Sequence, residues 1–395
     1  MSRADLERIW RAGVEACLPD RVLPGHLPEP PRGRTIALAI GKAAAGMAET
    51  LEAHWSGPLE GLAVAPHGTR AELRRIELVH GAHPIPDEAS VAAAERLMAA
   101  AAGAGKDDLV LGLLSGGASA LACLPGEGLS LAGKQRVTAE LLKLGASIGE
   151  INIVRRHLSR IKGGRLGAAA APARLVTLAI SDVPGDRAED IGSGPTVADP
   201  TSVEEAREVL RLYSVEAPAR GWSEAPDEVA GEFRVIASNQ DALVAGAAEA
   251  RRLGFAPVML GACIGEASQV GRAHAELALH QAPGTALISG GELTVAVRGR
   301  GSGGRNREYA LAAAIALAGA ANVSGLAADS DGIDGSCDAA GAFFDGSTIA
   351  RSPRDAHKAL ASNDSGGFFA ALADRFVTGP TGTNVSDLRI ILTGH

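Results

Sequence analysis

The sequence predicts an α/β protein made of two α/β domains. Short apolar runs alternate with amphipathic helical segments along the chain, which is typical of parallel sheets covered by helices. Runs such as Leu109–Leu114 and Leu175–Ile180 are apolar at nearly every position, as expected of strands buried on both faces. A second alternating series follows a stretch rich in proline and glycine. The length of 395 residues fits this division.

The segment from Leu175 to Pro200 combines a buried strand with an acidic, glycine-rich loop. In open α/β folds, ligands bind beyond the carboxyl ends of the strands. Asp182 and Asp186 lie in this loop, and its acids and exposed backbone amides suit a metal ion and a phosphate. The alternative is an ordinary turn stabilised by aspartate and glycine.

Composition excludes several classes of function. The net charge of −8 argues against nucleic acid as the main partner. The four cysteines, including Cys337, form no CxxC pair, so free thiols are expected rather than a zinc or redox site. The N-terminal segment shows no apolar signal region, and the most apolar window, Tyr309–Ala321, is too short to span a bilayer. We expect a cytoplasmic protein with no membrane partner.

Two turns in the N-terminal half are candidate anion sites. The strand 34–40 leads into Gly41-Lys42 and a helix, and an ammonium beside a helix N-terminus attracts phosphate. The strand 108–114 leads into Ser115-Gly116-Gly117, whose amides can converge on an anion. Lys42 can equally be a solvated surface lysine. The GxxxxGK match ending at Lys134 is not a P-loop, because Gln135 replaces the required Ser or Thr.

Positive charge is concentrated between residues 155 and 165. Arginine binds carboxylates and phosphates in a bidentate manner, so this segment, which includes Arg156 and Lys162, is expected to bind a carboxylate or a phosphate. The alternative is a solvated helix face. His80 and His83, in an earlier connection, are interpreted as turn histidines rather than metal ligands. Residues 214–232 are the best linker candidate.

The C-terminal half begins a second α/β series at Arg234–Ala237. Its glycine loop ends in Gly303-Gly304 and is followed at once by Arg305 and a long helix, a junction suited to phosphate. A later acidic loop, 327–335, lacks the twelfth-position glutamate of an EF-hand.

Taken together, these motifs resemble the glycerate 2-kinase family, whose members carry a C-terminal MOFRL domain. The match covers nearly the whole chain in the expected order and rests on IGKAA (40–44), HPIPDEAS (83–90), SGGASAL (115–121), EINIVRRHLSRIKGGRL (150–166), ISDVPGDRAEDIGSGPTVADP (180–200), SNQDAL (238–243), SGGELTV followed by GGRNRE (289–308), SDGIDGSCDAAGA (330–342) and GPTGTNVSDL (379–388). The departures are small. Arg307, Ser330 and Ser386 stand where the family often has Gln, Thr, and Asn or Asp, respectively.

The resemblance implies ATP-dependent phosphorylation of D-glycerate at its 2-hydroxyl, with Mg²⁺. It also implies a Rossmann-like N-terminal domain at 1–232, a smaller mixed-sheet MOFRL domain at 233–395, and a cleft between them. Lys42 and Arg305 match positions thought to act in catalysis, on opposite sides of the linker. The predicted nucleotide contacts are Ser115, Gly116, Gly117, Gly303, Gly304 and Asn384. Asp182 and Asp186 are predicted to bind Mg²⁺ or to orient the hydroxyl. The predicted substrate contacts are Arg156, Lys162 and Asp186, with Arg156 or Lys162 holding the glycerate carboxylate.

Two other functions stay open at this stage. An NAD(P)H-dependent hydroxypyruvate reductase is the main alternative, but it would need GxGxxG after the first strand, where the chain has GKAAAG. A non-catalytic sugar-acid-binding protein would not need two cationic positions with two acidic loops. The assembly state is left open, with a homodimer considered.

Overall fold

The computed structural model describes residues 2–335 and 338–394. The chain divides into two compact units, one formed by Pro19–Ile236 and the other by Met1–Leu18 together with Ala237–His395. Twelve strands lie in the described part of the chain: β1 Thr35–Ile40, β2 Leu59–Pro66, β3 Ile76–Gly81, β4 Leu109–Leu114, β5 Arg174–Ile180, β6 Glu232–Ala237, β7 Ala256–Ala262, β8 Thr285–Gly291, β9 Val323–Asp329, β10 Gly341–Asp345, β11 Arg375–Phe376 and β12 Asp387–Thr393.

The described residues form fifteen α-helices, several of them short. They are α1 Arg3–Glu15, α2 Pro19–Val22, α3 Ala44–His54, α4 Glu88–Ala102, α5 Ala118–Leu121, α6 Leu131–Lys143, α7 Ile148–His157, α8 Arg165–Ala169, α9 Val203–Leu212, α10 Asn239–Arg252, α11 Ala267–Leu279, α12 Arg305–Ala316, α13 Thr348–Arg351, α14 Ala356–Ala361 and α15 Ser365–Ala370.

The unit Pro19–Ile236 is built on a six-stranded sheet in the order β3-β2-β1-β4-β5-β6. Strands β1 to β5 pair in parallel, and every residue of β1 and β4 is buried. Ile36, Leu38 and Ile40 of β1 pack with Leu97 of α4 in one apolar core. This strand order is that of doubly wound nucleotide-binding folds, in which the direction of winding reverses between the first and fourth strands.

The other unit is built on a mixed sheet in the order β11-β10-β9-β12-β8-β7. The pair β7–β8 is parallel, whereas β12 runs antiparallel to both β8 and β9. Tyr309 and Leu311 of α12 lie in the apolar core with Phe344 of β10. The two units confirm the predicted fold class, a parallel-sheet unit followed by a mixed-sheet unit.

The compact units differ from the predicted ranges 1–232 and 233–395 at two places. Strand β6 is an edge strand of the first sheet, so it does not begin the second series as predicted. Helix α1 packs in the C-terminal unit, where its Trp10 meets Phe376 edge to face at 5.0 Å. Apolar periodicity shows that a segment has a buried face but does not identify the element that covers it.

The predicted linker 214–232 contains irregular structure that packs within the N-terminal unit. The Ser223 carbonyl oxygen accepts a hydrogen bond from Arg165 Nη2 and contacts Nδ1 of His157 at 3.1 Å. The backbone of Gly221 lies so close to Gly126 that a β-carbon on Gly126 would clash with it. This segment is therefore part of the first unit rather than a free connection.

Candidate active site

The loops after β1 and β4 meet at the point where the winding of the parallel sheet reverses. The Lys42 amide donates to the Gly116 carbonyl oxygen at 2.8 Å, and the Ala43 amide donates to Ser115 Oγ at 3.0 Å. Gly41, with φ of 137°, is so close to Ser115 that any β-carbon would collide with its hydroxyl. The two predicted anion loops are thus joined into one structure.

This contact changes how the loop after β1 can bind an anion. We predicted that the amides at the N-terminus of α3 would bind phosphate together with Lys42. The amides of Lys42, Ala43 and Ala44 all donate to protein oxygens instead. The half-buried Lys42 side chain is therefore the group of this turn that is suited to an anion.

The glycines of the loop after β4 have backbone amides that are not used in hydrogen bonds within the described structure. Within the part of the chain that the structure describes, the amides of Gly116 and Gly117 donate no hydrogen bond. Gly117 has φ of 83°, a left-handed conformation that glycine adopts without strain. Two amides next to a lysine side chain form an arrangement suited to phosphate oxygens.

The loop after β5 approaches the same edge of the sheet. Ser119, at the start of α5, pairs its hydroxyl with that of Ser193 at 2.6 Å. Asp182 and Asp186 are both half-buried, and Asp186 adopts φ of 53°. Among the described residues, the Asp186 carboxylate makes no hydrogen bond or ion pair, so it is free to contact a ligand.

Arg156 and Lys162 are inside the fold rather than at its surface. Arg156 is 3% exposed, and its Nε donates to Asp199 at 2.8 Å while Nη1 contacts Asp190 at 3.3 Å. The Lys162 ammonium is 2% exposed and donates to the Ser119 carbonyl oxygen at 2.7 Å. Burial lowers the pKa of Lys162 to about 7.

These contacts argue against the prediction that Arg156 or Lys162 holds the substrate carboxylate, which stays untested. Protein carboxylates already occupy the Arg156 guanidinium. The Lys162 ammonium supports the backbone of α5, directly after the glycine loop. Sequence alone shows the density of positive charge but not the aspartates, more than thirty residues later, that neutralise Arg156.

In the C-terminal unit, Arg305 is held by three carboxylates from adjacent strand ends. Its Nε donates to Asp387 at 2.9 Å, Nη2 to Asp329 at 2.8 Å and Nη1 to Glu292 at 2.6 Å. Burial alone would lower the pKa of Arg305, but the three carboxylates raise it well above its usual value. The Arg305 guanidinium is therefore always charged, and its three ion pairs fix its orientation.

Asp387 is the centre of this cluster. Its carboxylate is fully buried and also accepts hydrogen bonds from Asn306 Nδ2 at 2.7 Å and Arg389 Nη2 at 2.8 Å. Asp387 lies within GPTGTNVSDL (379–388), but the sequence pattern gives no sign of its role. Its position at the start of an antiparallel strand, which brings it to the carboxyl ends of β8 and β9, was the missing information.

The glycine loop before α12 has a structural role that the sequence did not indicate. The amides of Asn306 and Arg307 donate to the Asp334 carboxylate at 3.0 and 3.1 Å. A β-carbon on Gly304 would clash with that carboxylate, and one on Gly303 would clash with Ser365 Oγ. Asp334 therefore occupies the helix terminus at which phosphate was predicted.

The buried Asn384 shapes the turn that leads into β12. Its Oδ1 accepts the Ser386 amide at 3.2 Å. A direct contact with nucleotide therefore stays a prediction for Asn384, as it does for Gly303 and Gly304.

Comparison with known proteins places this arrangement in a family. Residues 5–222 match the model described as a domain of unknown function, DUF4147, and residues 285–387 match the MOFRL family. The D-glycerate 2-kinase of Thermotoga maritima is 39% identical, over 97% of this chain and 96% of its own length. The chain belongs to the glycerate 2-kinase family. It is therefore a member of a family of kinases.

Two further relatives show that members of this family are named after different reactions. The crystal structure of glycerate kinase from Thermotoga maritima gives a TM-score of 0.84 and 37% identity, over 98% of this chain and 97% of that chain. An Agrobacterium vitis protein, provisionally named hydroxypyruvate reductase, is 44% identical over 100% of this chain and 95% of its own length. The same family thus includes proteins named for two different reactions.

The residues of the loop after β5 fit the way in which magnesium is usually bound. Among the described residues, no group of three or more His, Cys, Asp or Glu side chains is arranged to hold a metal ion. Mg²⁺ commonly binds through one or two carboxylates plus substrate phosphates, so a complete protein cage is not required. Asp186, with no protein partner among the described residues, supplies the right type of donor.

Two other expectations concern the whole chain. Cys17 and Cys123 are buried free thiols and Cys263 is a half-buried one, while Cys337 lies outside the described residues. None of the described helices combines the length and apolar character needed to cross a membrane.

Proposed function

We propose that this protein transfers the γ-phosphoryl group of ATP to the 2-hydroxyl of D-glycerate, giving 2-phosphoglycerate and ADP. The observation that carries the proposal is the meeting of the loops after β1 and β4 at the reversal point of a doubly wound sheet. Lys42 and the amides of Gly116 and Gly117 lie there together. Membership of the glycerate 2-kinase family supports glycerate as the acceptor of the phosphoryl group.

The reaction requires positioning and charge neutralisation more than covalent chemistry. The bond between the γ-phosphorus and the β,γ-bridging oxygen breaks, and its electron pair leaves with ADP. A new bond forms between the γ-phosphorus and the 2-oxygen of glycerate, whose proton is released. In this scheme, Lys42 and the two glycine amides stabilise the negative charge on the transferring phosphoryl oxygens.

Asp182 and Asp186 are the proposed magnesium ligands, with Asp182 also able to orient the acceptor hydroxyl. When bound, Mg²⁺ neutralises phosphate charge. The aspartates would hold the ion at the end of β5, next to β4 in the sheet.

Arg305 is the proposed second cation of the reaction, and its surroundings indicate how it could meet phosphate. Asp387 and Asp329 are 0% and 8% exposed in their side chains, whereas Glu292 is 51% exposed. The buried pair fixes the guanidinium, and Glu292 is the partner that a phosphate oxygen can most easily replace. A cytoplasmic location, a homodimer and the expected cleft between the domains stay predictions.

One assay tests the proposal directly. Purified protein is supplied with ATP, Mg²⁺ and D-glycerate, ADP release is followed, and the phosphoglycerate isomer is identified by ³¹P NMR. We expect glycerate-dependent ADP release with 2-phosphoglycerate as the product. Formation of 3-phosphoglycerate, or ADP release that is independent of glycerate, would contradict the proposal.

The name of the Agrobacterium vitis relative favours a second candidate, reduction of hydroxypyruvate by NAD(P)H. The geometry of the first turn is unfavourable to it. Dinucleotide pyrophosphate is usually bound by free amides at the N-terminus of the first helix, and here Lys42 and Ala43 use those amides within the protein. Robust NADH or NADPH oxidation with hydroxypyruvate by the pure protein would reverse this ranking.

A further inference from the structure

We propose that His83 is a further catalytic residue, whose imidazole takes up the proton released by the acceptor hydroxyl. The inference deepens the proposed function and rests on it. His83 follows β3 and was interpreted from the sequence as a turn histidine.

The structure places the His83 ring at the anion loop. A β-carbon on Gly117 would lie 3.0 Å from His83 Cδ2, 3.4 Å from His83 Nε2 and 3.4 Å from Lys42 Cγ. The imidazole and the lysine stem therefore lie against the same glycine. The connections after β1, β3 and β4 all meet at this point, although β3 and β4 are separated in the sheet by β2 and β1.

The exposure of the ring fits a group that meets an incoming substrate. His83 is exposed, and Gly117 lacks the side chain that would crowd it. The attacking hydroxyl must lie about 3 Å from the transferring phosphorus, so a proton acceptor has to stand beside the phosphate-binding groups. His83 stands next to Lys42 and the free amide of Gly117.

The proton transfer to His83 requires only ATP, glycerate and the imidazole. As the glycerate oxygen bonds to phosphorus, its O–H bond breaks and the proton moves to a neutral imidazole nitrogen of His83. ADP leaves with the electron pair of the broken P–O bond. The imidazolium then returns its proton to solvent, which reaches the exposed ring.

Other titratable groups on the surrounding elements can be distinguished by the direction of their effect. Lys42 lies against the same glycine, Asp182 follows β5, and Asp87, which caps the N-terminus of α4, pairs with His67 at 2.8 Å. Lys162, under α5, has a pKa of about 7. Because Lys162 loses its charge as pH rises, it can cause a loss of activity at high pH, whereas a proton acceptor causes a loss at low pH.

The test compares kcat as a function of pH for the wild type, His83→Asn and the control His80→Asn. His80 lies near the end of β3, just before the connection that holds His83, and contacts the Thr69 carbonyl oxygen at 3.0 Å. We expect the wild-type kcat to fall as pH drops through the usual range of histidine, about 6.5. In His83→Asn, kcat should be lower by roughly 10²-fold and independent of pH in that range. The control should match the wild type.

Each outcome decides the proposal. A His83→Asn variant that keeps the wild-type acid limb, or changes kcat by less than about threefold, removes His83 from proton transfer. A higher KM for glycerate with unchanged kcat would make His83 a binding residue and overturn the proposal. Circular dichroism and thermal melting check that the variant is folded. An inactive wild type would instead contradict the proposed function itself.

Discussion

At Ser386 the backbone takes a left-handed conformation, with φ of 69°. The same serine is buried, and its hydroxyl has no hydrogen-bond partner among the described residues. The resemblance to the glycerate 2-kinase family implies Asn or Asp at this position, and these residues tolerate the left-handed region better. The departure therefore has a local energetic consequence.

We expect Ser386→Gly to raise the free energy of unfolding by about 1 to 2 kcal/mol, because it relieves backbone strain and removes an unpaired hydroxyl. Urea denaturation measures the change. Ser214→Gly is the matched control, since Ser214 has φ of 54° but is exposed, so only the backbone term applies. A gain for Ser386→Gly that does not exceed the gain for Ser214→Gly would show that the Ser386 hydroxyl is satisfied.

A second buried group at this scale is Glu308 of α12. Burial raises the pKa of Glu308 to about 7, partly offset by a hydrogen bond from Asn363 and supported by the nearby Glu266 and Asp334. Its folded-state pKa exceeds the value of about 4.3 in an unfolded chain. Native Glu308 thus favours the protonated form, and stability is lost as pH rises from 4.3 through 7.

We therefore expect Glu308→Gln to be more stable than the wild type by roughly 2 to 3 kcal/mol above pH 7. The difference should shrink as pH falls and vanish near pH 4. Denaturation of both proteins across this range measures it. A difference that does not depend on pH would show that Glu308 is not titrating.

At the scale of elements, the termini of the helices show what the sequence could and could not indicate. The patterns around Lys42 and Arg305 correctly indicated a turn leading into a helix, because apolar periodicity and glycine are local signals. The amides at both helix termini were predicted to bind phosphate, yet protein oxygens satisfy them. Those oxygens come from Ser115 and Asp334, which only the folded chain brings close.

The same limit explains the placement of β6. Its sequence shows a short strand, but the pairing partner of a strand depends on the whole sheet rather than on its own alternation of residues. The mixed sheet likewise brings Asp387 to Arg305 because β12 runs antiparallel. Candidate residues were thus visible in the sequence, whereas their partners were not.

We expect Asp334→Ala to lower the free energy of unfolding by roughly 3 to 5 kcal/mol. The Arg307 guanidinium donates to Asp334 at 2.9 Å, and both side chains are 1% exposed, so the substitution leaves a buried charge without this partner. It also removes the cap of α12. Asp334→Asn, which keeps an oxygen at the helix terminus, should lose less. Equal losses for the two variants in chemical denaturation would argue against the capping role.

At the scale of the molecule, the first eighteen residues belong to the C-terminal unit. Trp10 of α1 is 1% exposed and packs on Phe376. We expect Trp10→Ala to cost about 3 to 5 kcal/mol in the unit to which α1 belongs. Hydrogen exchange should then quicken in peptides from 237–394 more than in peptides from 19–236. Equal acceleration in both sets would contradict this division of the chain.

The central claim is that Lys42, at the reversal point of the parallel sheet, acts on the transferring phosphoryl group. Steady-state ADP release with ATP, Mg²⁺ and D-glycerate for Lys42→Ala, with the exposed Lys106→Ala as control, tests it most directly. We predict that Lys42→Ala lowers kcat by roughly 10²- to 10³-fold, with a smaller rise in KM, because the lost charge acts mainly in the transition state. Lys106→Ala should match the wild type. A near-normal kcat in folded Lys42→Ala would contradict the account.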